Sequence, residues 1–334
     1  MLTKQECIDQ VLTGRGRRLN RSGEAFAPAN IALCKYWGKR DDALNLPVTS
    51  SLSISLDRRG DHTVLSAIDS PSDEILLNGE PVRPERDFAV RVTAFLDGFR
   101  RTPSQRFRVD TTNTVPTAAG LASSASGFAA LVLALDKLMD WGLDRTALSV
   151  LARLGSGSAC RSVHDGFVVW HRGDREDGMD SFAEPLGPSW PSLRIGIVSV
   201  SVAAKPISSR SAMDRTRKSS RLYESWPRKV ADDLDRILIA IRNHDFNQLG
   251  TTAESNALSM HATMIATWPP VVYWLPQSLE RMRRVWALRD QGLPLYFTMD
   301  AGPNLKLLFE ATHEDAVRAA FPDCDVIAPF FSSA

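Results

Sequence analysis

Apolar residues recur along this chain with two periods, and the switches between them divide it into elements. Residues Ser51 to Leu56 alternate serine with leucine or isoleucine, the period-two pattern of a half-buried strand. Residues 61–84 read as a β-meander with Asn78-Gly79 as a tight hairpin turn. A helical pattern covers 84–99, a strand 107–113, and a run of helix formers Phe128 to Leu138. Further on come a helical piece over 146–154 and a strand over 166–170. Past a Gly/Asp/Glu-rich loop at 172–189, a strand is predicted at 193–200 and helices at about 212–242, 244–264 and 274–290, with a break at Pro269-Pro270. Strands at 294–298 and 305–309 flank the turn Met299 to Asn304, and a helix near 313–320 and a strand at 324–328 close the chain. This alternation predicts an α+β protein with two layers per domain, divided near residue 190 into segments 25–190 and 191–334. Residues 1–24 read as an appendage, with a short amphipathic helix from Lys4 to about Leu12 and a flexible basic piece from Gly14 to Arg18.

Composition narrows the class. In 334 residues, 43% hydrophobic and 24% charged content describe a soluble globular protein, and a net charge of +1 argues against a nucleic-acid partner. Cys7, Cys34, Cys160 and Cys324 lie far apart, which suits a reducing compartment better than a zinc site or a disulfide framework. No signal-peptide core and no membrane-spanning apolar run is visible, so a cytoplasmic protein without a membrane partner is expected.

Four stretches carry candidate chemistry. Pro116 to Gly127 is small, Gly/Ser/Ala-rich and almost uncharged, and it opens onto the Phe128 helix. Unpartnered N–H groups and the helix dipole make such a loop suited to phosphate; a loop that merely caps a buried helix reads the same way. Lys35, Lys39 and Arg40 with Tyr36 put three cations and a phenol within six residues, and a helical turn there would set Lys35 and Lys39 on one face. An ordinary surface turn explains the same residues. Gly155 to Ser162 reads as another small-residue loop, in which Arg161 is either a bidentate clamp for a carboxylate or phosphate or an exposed turn arginine. Asp300 sits on a Gly-Pro turn, as an Asx-turn residue or as a carboxylate of fixed geometry.

Taken in order, Ala29–Arg40, Asn45–Pro47, Pro116–Gly127, Gly155–Ser162, Lys205–Met213 and Met299–Asn304 resemble the diphosphomevalonate decarboxylases of the GHMP kinase superfamily, over nearly all of the chain after residue 24. The resemblance implies a two-domain α+β fold, with an N-terminal domain like domain 2 of ribosomal protein S5 and a ferredoxin-like C-terminal domain. It implies ATP-dependent, Mg²⁺-assisted phosphorylation of the tertiary alcohol of mevalonate 5-diphosphate, followed by loss of phosphate and CO₂ to give isopentenyl diphosphate. By the same carry-over Asp300, Lys35 and Arg161 are catalytic. Asn30, Tyr36, Lys39, Ser156, Ser158 and Ser209 join Arg161 on the substrate. Pro116, Ala118, Gly120, Ala122, Ser123, Ser124 and Ser126 hold ATP, with Ser124 nearest the Mg²⁺, and a homodimer is expected.

Two departures stand out: Asp165-Gly166 replaces the usual Gly-Gly, and Arg210 stands where a small or polar residue is common. Sister activities on the monophosphate or on mevalonate itself, and a non-catalytic sensor on the same fold, are the alternatives. Retention of Tyr36, Lys39 and Arg161 favours the diphosphate, and retention of Asp300 and Lys35 favours an enzyme.

Overall fold

The computed structural model describes residues 2–16, 18–114, 123–203 and 205–330. The first helix, α1 (Lys4–Leu12), starts at a capping box in which the Thr3 hydroxyl accepts from the Glu6 N–H and the Glu6 carboxylate accepts from the Thr3 N–H. It is not an appendage. Cys7 and Ile8 are buried in the same core as the helices that follow, and the Gln5 amide donates to the Gly98 carbonyl at 3.2 Å.

Strands β1 (Gly23–Cys34), β2 (Lys39–Asp41), β3 (Leu46–Pro47) and β4 (Ser51–Ile68) come next, then β5 (Glu74–Leu77) and β6 (Glu80–Pro81). The expected meander is instead one long strand, β4, followed by the β5–β6 hairpin. Its turn residues Asn78 and Gly79 both take positive φ, as the dipeptide predicts. Helix α2 (Asp87–Leu96), strand β7 (Arg106–Asn113), helices α3 (Ser123–Met139) and α4 (Arg145–Gly155), and strands β8 (Phe167–Trp170) and β9 (Ala183–Pro185) complete the first half. Its sheet runs β6-β5-β7-β4-β8-β9, with β1 also paired to β4.

The second half holds β10 (Leu193–Val198), α5 (Ser209–Ser219), α6 (Trp226–Asn243), α7 (Phe246–Ile265), α8 (Pro276–Asp290), β11 (Tyr296–Met299), β12 (Leu305–Glu310), α9 (Glu314–Ala320) and β13 (Asp325–Ile327). Its antiparallel sheet runs β11-β12-β10-β13. The helix expected over 212–242 is two helices, because Pro227 occupies the first turn of α6 and cannot continue a helix from before it.

Among the described residues two large cores stand beside a small cluster of Cys160, Val168, Trp170 and Ala183. One packs α1, α2, α3 and α4 on the sheet of the first half. The other runs from Ile31, Leu33, Leu52, Ile54 and Leu56 into the helices and strands of the second half, so the junction of the halves is itself apolar core. This explains a wrong expectation at Ser51–Leu56. The stretch is buried on both faces, not half-buried, because the leucine face meets the second half while Ser51 and Ser55 accept hydrogen bonds from Arg161 and the Gly166 N–H. Small hydroxyl residues let polar groups from other elements come close to the strand.

Candidate active site

A cleft of about 400 Å³ opens at the junction. Among the described residues its lining carries five cations, Lys35, Lys39, Arg91, Arg161 and Arg210, against two carboxylates, Asp87 and Asp300. A chain of net charge +1 thus concentrates positive charge in one concave place, the arrangement that attracts a polyanion. A larger groove of about 650 Å³ near Arg100 and Arg106 offers no such excess. There Arg100 pairs with Asp73 and Asp97, and Arg106 donates to backbone carbonyls.

Lys35 leaves the end of β1 in irregular backbone, not in the helical turn its spacing suggests. The second half claims that backbone. Asn256 of α7 accepts from the Lys35 N–H at 2.8 Å, and Tyr223 and the Trp226 indole both donate to the Trp37 carbonyl, at 3.0 and 2.9 Å. Gly38 then turns with φ +118°, beside the Tyr223 hydroxyl, where a Cβ would find no room. Lys35 and Lys39 still border the same cleft, through chain reversal and not through a helix face.

Lys35 is buried and donates through Nζ to the Ala32 carbonyl at 2.7 Å and to Asp300 Oδ1 at 2.9 Å. Lys306 of β12, equally buried, stands 3.2 Å from Asp300 Oδ2. Burial alone would raise the Asp300 pKa, but the two ammonium groups outweigh it and hold the carboxyl far below the usual range. About 31% of the Asp300 side chain remains exposed, on the cleft side, so it is ionised, fixed and reachable. His261 completes the turn: its Nε2 lies 3.1 Å from the Asp300 carbonyl, and burial lowers its pKa to about 3, so the ring is neutral.

Arg161 is buried, not an exposed turn residue. The expected loop is a 3₁₀ helix, Gly157–Val163, which turns the guanidinium inward. There it donates to Ser51 Oγ at 2.6 Å and, through two nitrogens, to Asn30 Oδ1 at 3.4 and 3.3 Å, with the Trp170 ring 5.8 Å away. Asn30 in turn donates to Ser162 Oγ at 2.7 Å. The fold therefore engages three of the five guanidinium N–H groups while the group borders the cleft.

Tyr36 is wedged between Trp170, at a 4.7 Å centroid distance, and Gly157, where a Cβ would lie 2.9 Å from the phenol oxygen. That oxygen is buried on the cleft wall without a partner among the described residues, and burial keeps the phenol protonated, a donor in waiting. Lys39 donates to Asn45 Oδ1 at 2.7 Å. Ser124, Ser156, Ser158 and Ser209 also line the cleft, and Ser124 and Ser156 face each other at 3.4 Å. Pro116, Ala118, Gly120 and Ala122 lie outside the described residues, and Ser123 enters only as backbone of α3. Ser126 does not reach the cleft lining. Its hydroxyl donates to the buried carboxylate of Asp61. Asp165 is exposed and off the cleft, whereas Arg210, the other departure, lines it.

Sequence reasoning missed Lys306, Asn256, His261 and the α2 pair Asp87 and Arg91. Only Lys306 left a readable trace, as a lone charge in the apolar run Leu305 to Phe309. Among the described residues, no group of three His, Cys, Asp or Glu could hold a metal ion by protein ligands alone.

Comparison with known proteins extends this picture. Residues 27–183 match the family described as diphosphomevalonate decarboxylase-like N-terminal domain, and residues 195–329 that of the mevalonate 5-diphosphate decarboxylase C-terminal domain. The diphosphomevalonate decarboxylase mvd1 of Aspergillus fumigatus is 39% identical over 85% of this chain and 75% of its own length. The mevalonate diphosphate decarboxylase of Staphylococcus aureus superposes with a TM-score of 0.87 at 37% identity, covering 92% of this chain and 95% of that one. A solved complex of MDDEF with MVAPP, AMPPCP and magnesium superposes with a TM-score of 0.85 at 39% identity, over 92% and 97% of the two chains. Both halves match in order, and the cation-rich cleft lies where they meet: this chain belongs to the mevalonate 5-diphosphate decarboxylase family.

Proposed function

We propose that this enzyme uses ATP to phosphorylate the tertiary hydroxyl of mevalonate 5-diphosphate and then releases phosphate and CO₂, giving isopentenyl diphosphate and ADP. The observation that carries this reading is Asp300, ionised between two lysines on the wall of a cleft that also presents Arg161. A carboxylate so stabilised is a weak base, so its first task is to hold and orient the hydroxyl. As the oxygen bonds to phosphorus its proton becomes acidic, and a weak base at hydrogen-bond distance then suffices. Lys35 supplies charge to the transferring phosphoryl group.

Arg161, held by Asn30 and Ser51, takes the substrate carboxylate. When phosphate departs from the tertiary carbon, the carbon becomes electron-poor and the C–CO₂ bonding pair moves toward it; the clamp keeps that bond aligned. Tyr36, Lys39, Ser156, Ser158, Ser209 and Arg210 bind the diphosphate. The surplus of cations beyond Arg161 and Lys35 favours a diphosphate over a monophosphate or free mevalonate. Mg²⁺ suits this donor set, since nucleotide phosphates can fill most of its oxygen shell and Ser124 one position. Bound there, it would neutralise charge on the phosphates. The segment from Pro116 to Ser124 is assigned to ATP.

We place the domain boundary near residue 190. The buried, unpaired thiols of all four cysteines support a cytoplasmic enzyme, and among the described residues no helix is long and apolar enough to cross a membrane. Exposed apolar side chains at Ile265, Trp268, Val272, Leu275 and Leu279 support a homodimer. Incubation with ATP, Mg²⁺ and each of mevalonate, its 5-phosphate and its 5-diphosphate, with CO₂ and ADP measured together, tests the activity. Equimolar CO₂ and ADP from the diphosphate alone is the expected result; ADP without CO₂ would mean a kinase.

A further inference from the structure

Lys306 stands in β12 among Leu305, Leu307, Leu308 and Phe309, all fully buried. An ammonium group enclosed like this is costly unless paired, and a leucine would fit the strand pattern better. Its ion pair is with Asp300 Oδ2, whereas Lys35 takes Oδ1. The two lysines come from opposite halves of the molecule and differ in position. Lys35 borders the cleft, and Lys306 lies behind Asp300, off the lining.

That difference matters when a polyphosphate arrives. The cleft-side ammonium is drawn toward the new negative charge, and the same charge pushes the Asp300 carboxylate toward protonation. Among the described residues, the other charged or titratable groups around Asp300 are Arg161, Lys205 and the neutral His261. Arg161 is tied to Asn30 and Ser51, and the Lys205 ammonium lies 5.9 Å from the Tyr273 ring centre. Among the described residues, Lys306 is the ion-pair partner of Asp300 that stands off the cleft lining.

We propose that Lys306 is a positioning residue for phosphoryl transfer, the fixed counter-ion that keeps Asp300 ionised and aimed while Lys35 turns to the phosphates. This rests on the role given to Asp300 above. Lys306→Met should lower kcat about tenfold or more and move the acid limb of its pH profile up by about one pH unit or more. Calorimetric affinities for the substrate and a non-hydrolysable ATP analogue should stay within about twofold of wild type, and Lys306→Arg should restore the wild-type acid limb. If Lys306→Met fails to fold, Lys306→Gln compared with Lys306→Arg carries the same prediction. An acid limb unmoved in a folded neutral variant, with kcat within twofold of wild type, would overturn the proposal. An active Asp300→Asn enzyme would instead overturn the reading beneath it, so the two failures are told apart.

Discussion

Two aspartates, the half-buried Asp300 at the junction of the halves and the buried Asp61 inside the first half, show what a low-dielectric setting does with and without a cation. Asp300 has a lysine on each carboxylate oxygen and is held far below its ordinary pKa. Among the described residues, Asp61 of β4 has only neutral donors, the Ser126 hydroxyl and the Asn113 amide at 3.0 Å, and burial pushes it up to about 6. Burial acts on both carboxyls in the same direction; the partner decides the sign. The Asp300 surroundings keep a charge ready for a reaction. Asp61 ties together Asn113 and Ser126, residues on either side of the glycine-rich stretch assigned to ATP, by hydrogen bonds that do not demand a charge.

The same substitution should therefore act oppositely at the two sites. Asp300→Asn is expected to have the largest effect: kcat falls at least about a hundredfold, and two buried lysines lose their counter-charge. Thermal melts should show a loss of roughly 1–3 kcal/mol, less than for a sealed pair because Asp300 partly faces the cleft.

Truncation of residues 2–21 comes next and removes the helix packed on the Asp61 half. Losing the buried Cys7 and Ile8 should remove about 2–4 kcal/mol of stability in denaturant titrations, with kcat of the folded remainder within a few-fold of wild type. An unchanged unfolding midpoint would return α1 to the status of an appendage. Arg161→Gln should lower kcat/KM by roughly 1.5–3 kcal/mol, about ten- to a hundredfold, through loss of the carboxylate clamp. A change under about twofold in steady-state assays would remove Arg161 from that role.

The smallest effect is expected at Asp61. Its folded pKa of about 6 exceeds an unfolded value near 3.8, so the native state binds the extra proton and stability falls as pH rises between those values. Asp61→Asn removes that penalty while its amide still meets Ser126 and Asn113. It should stabilise the enzyme by about 1–2 kcal/mol at pH 7.5, a gain that fades as pH falls from about 6 to 3.8. A variant less stable than wild type at pH 7.5 would show that the Asp61 charge is itself used.

The two aspartates also mark how far the sequence could be read. Asp300 lies in a turn whose Gly-Pro chemistry and family likeness make it stand out. Asp61 lies in Arg58-Arg59-Gly60-Asp61-His62, a polar run that looks like surface; it is buried because α3 packs over that part of β4. Periodicity located most helices and strands because it reports one element against one core. It failed at Ser51–Leu56, which is enclosed from both sides, and at Lys35–Lys39, whose backbone is fixed by Asn256, Tyr223 and Trp226 from some 190 to 220 residues away in the chain. Cys7 and Ile8 looked like part of a tail because only the assembled helices supply their surroundings. The Pro227 break was legible in principle, since a proline inside a helical pattern signals a new start.

If an ionised Asp300 directs phosphoryl transfer before any CO₂ is lost, removing its charge must slow the first step. Single-turnover experiments with γ-³²P-ATP and carboxyl-labelled substrate, comparing Asp300→Asn with wild type, test it most directly, with ATP-analogue binding as the control for folding. Transfer of ³²P and release of CO₂ should slow together, by about a hundredfold or more. Phosphoryl transfer at the wild-type rate with CO₂ release abolished would place Asp300 after the transfer step and contradict it.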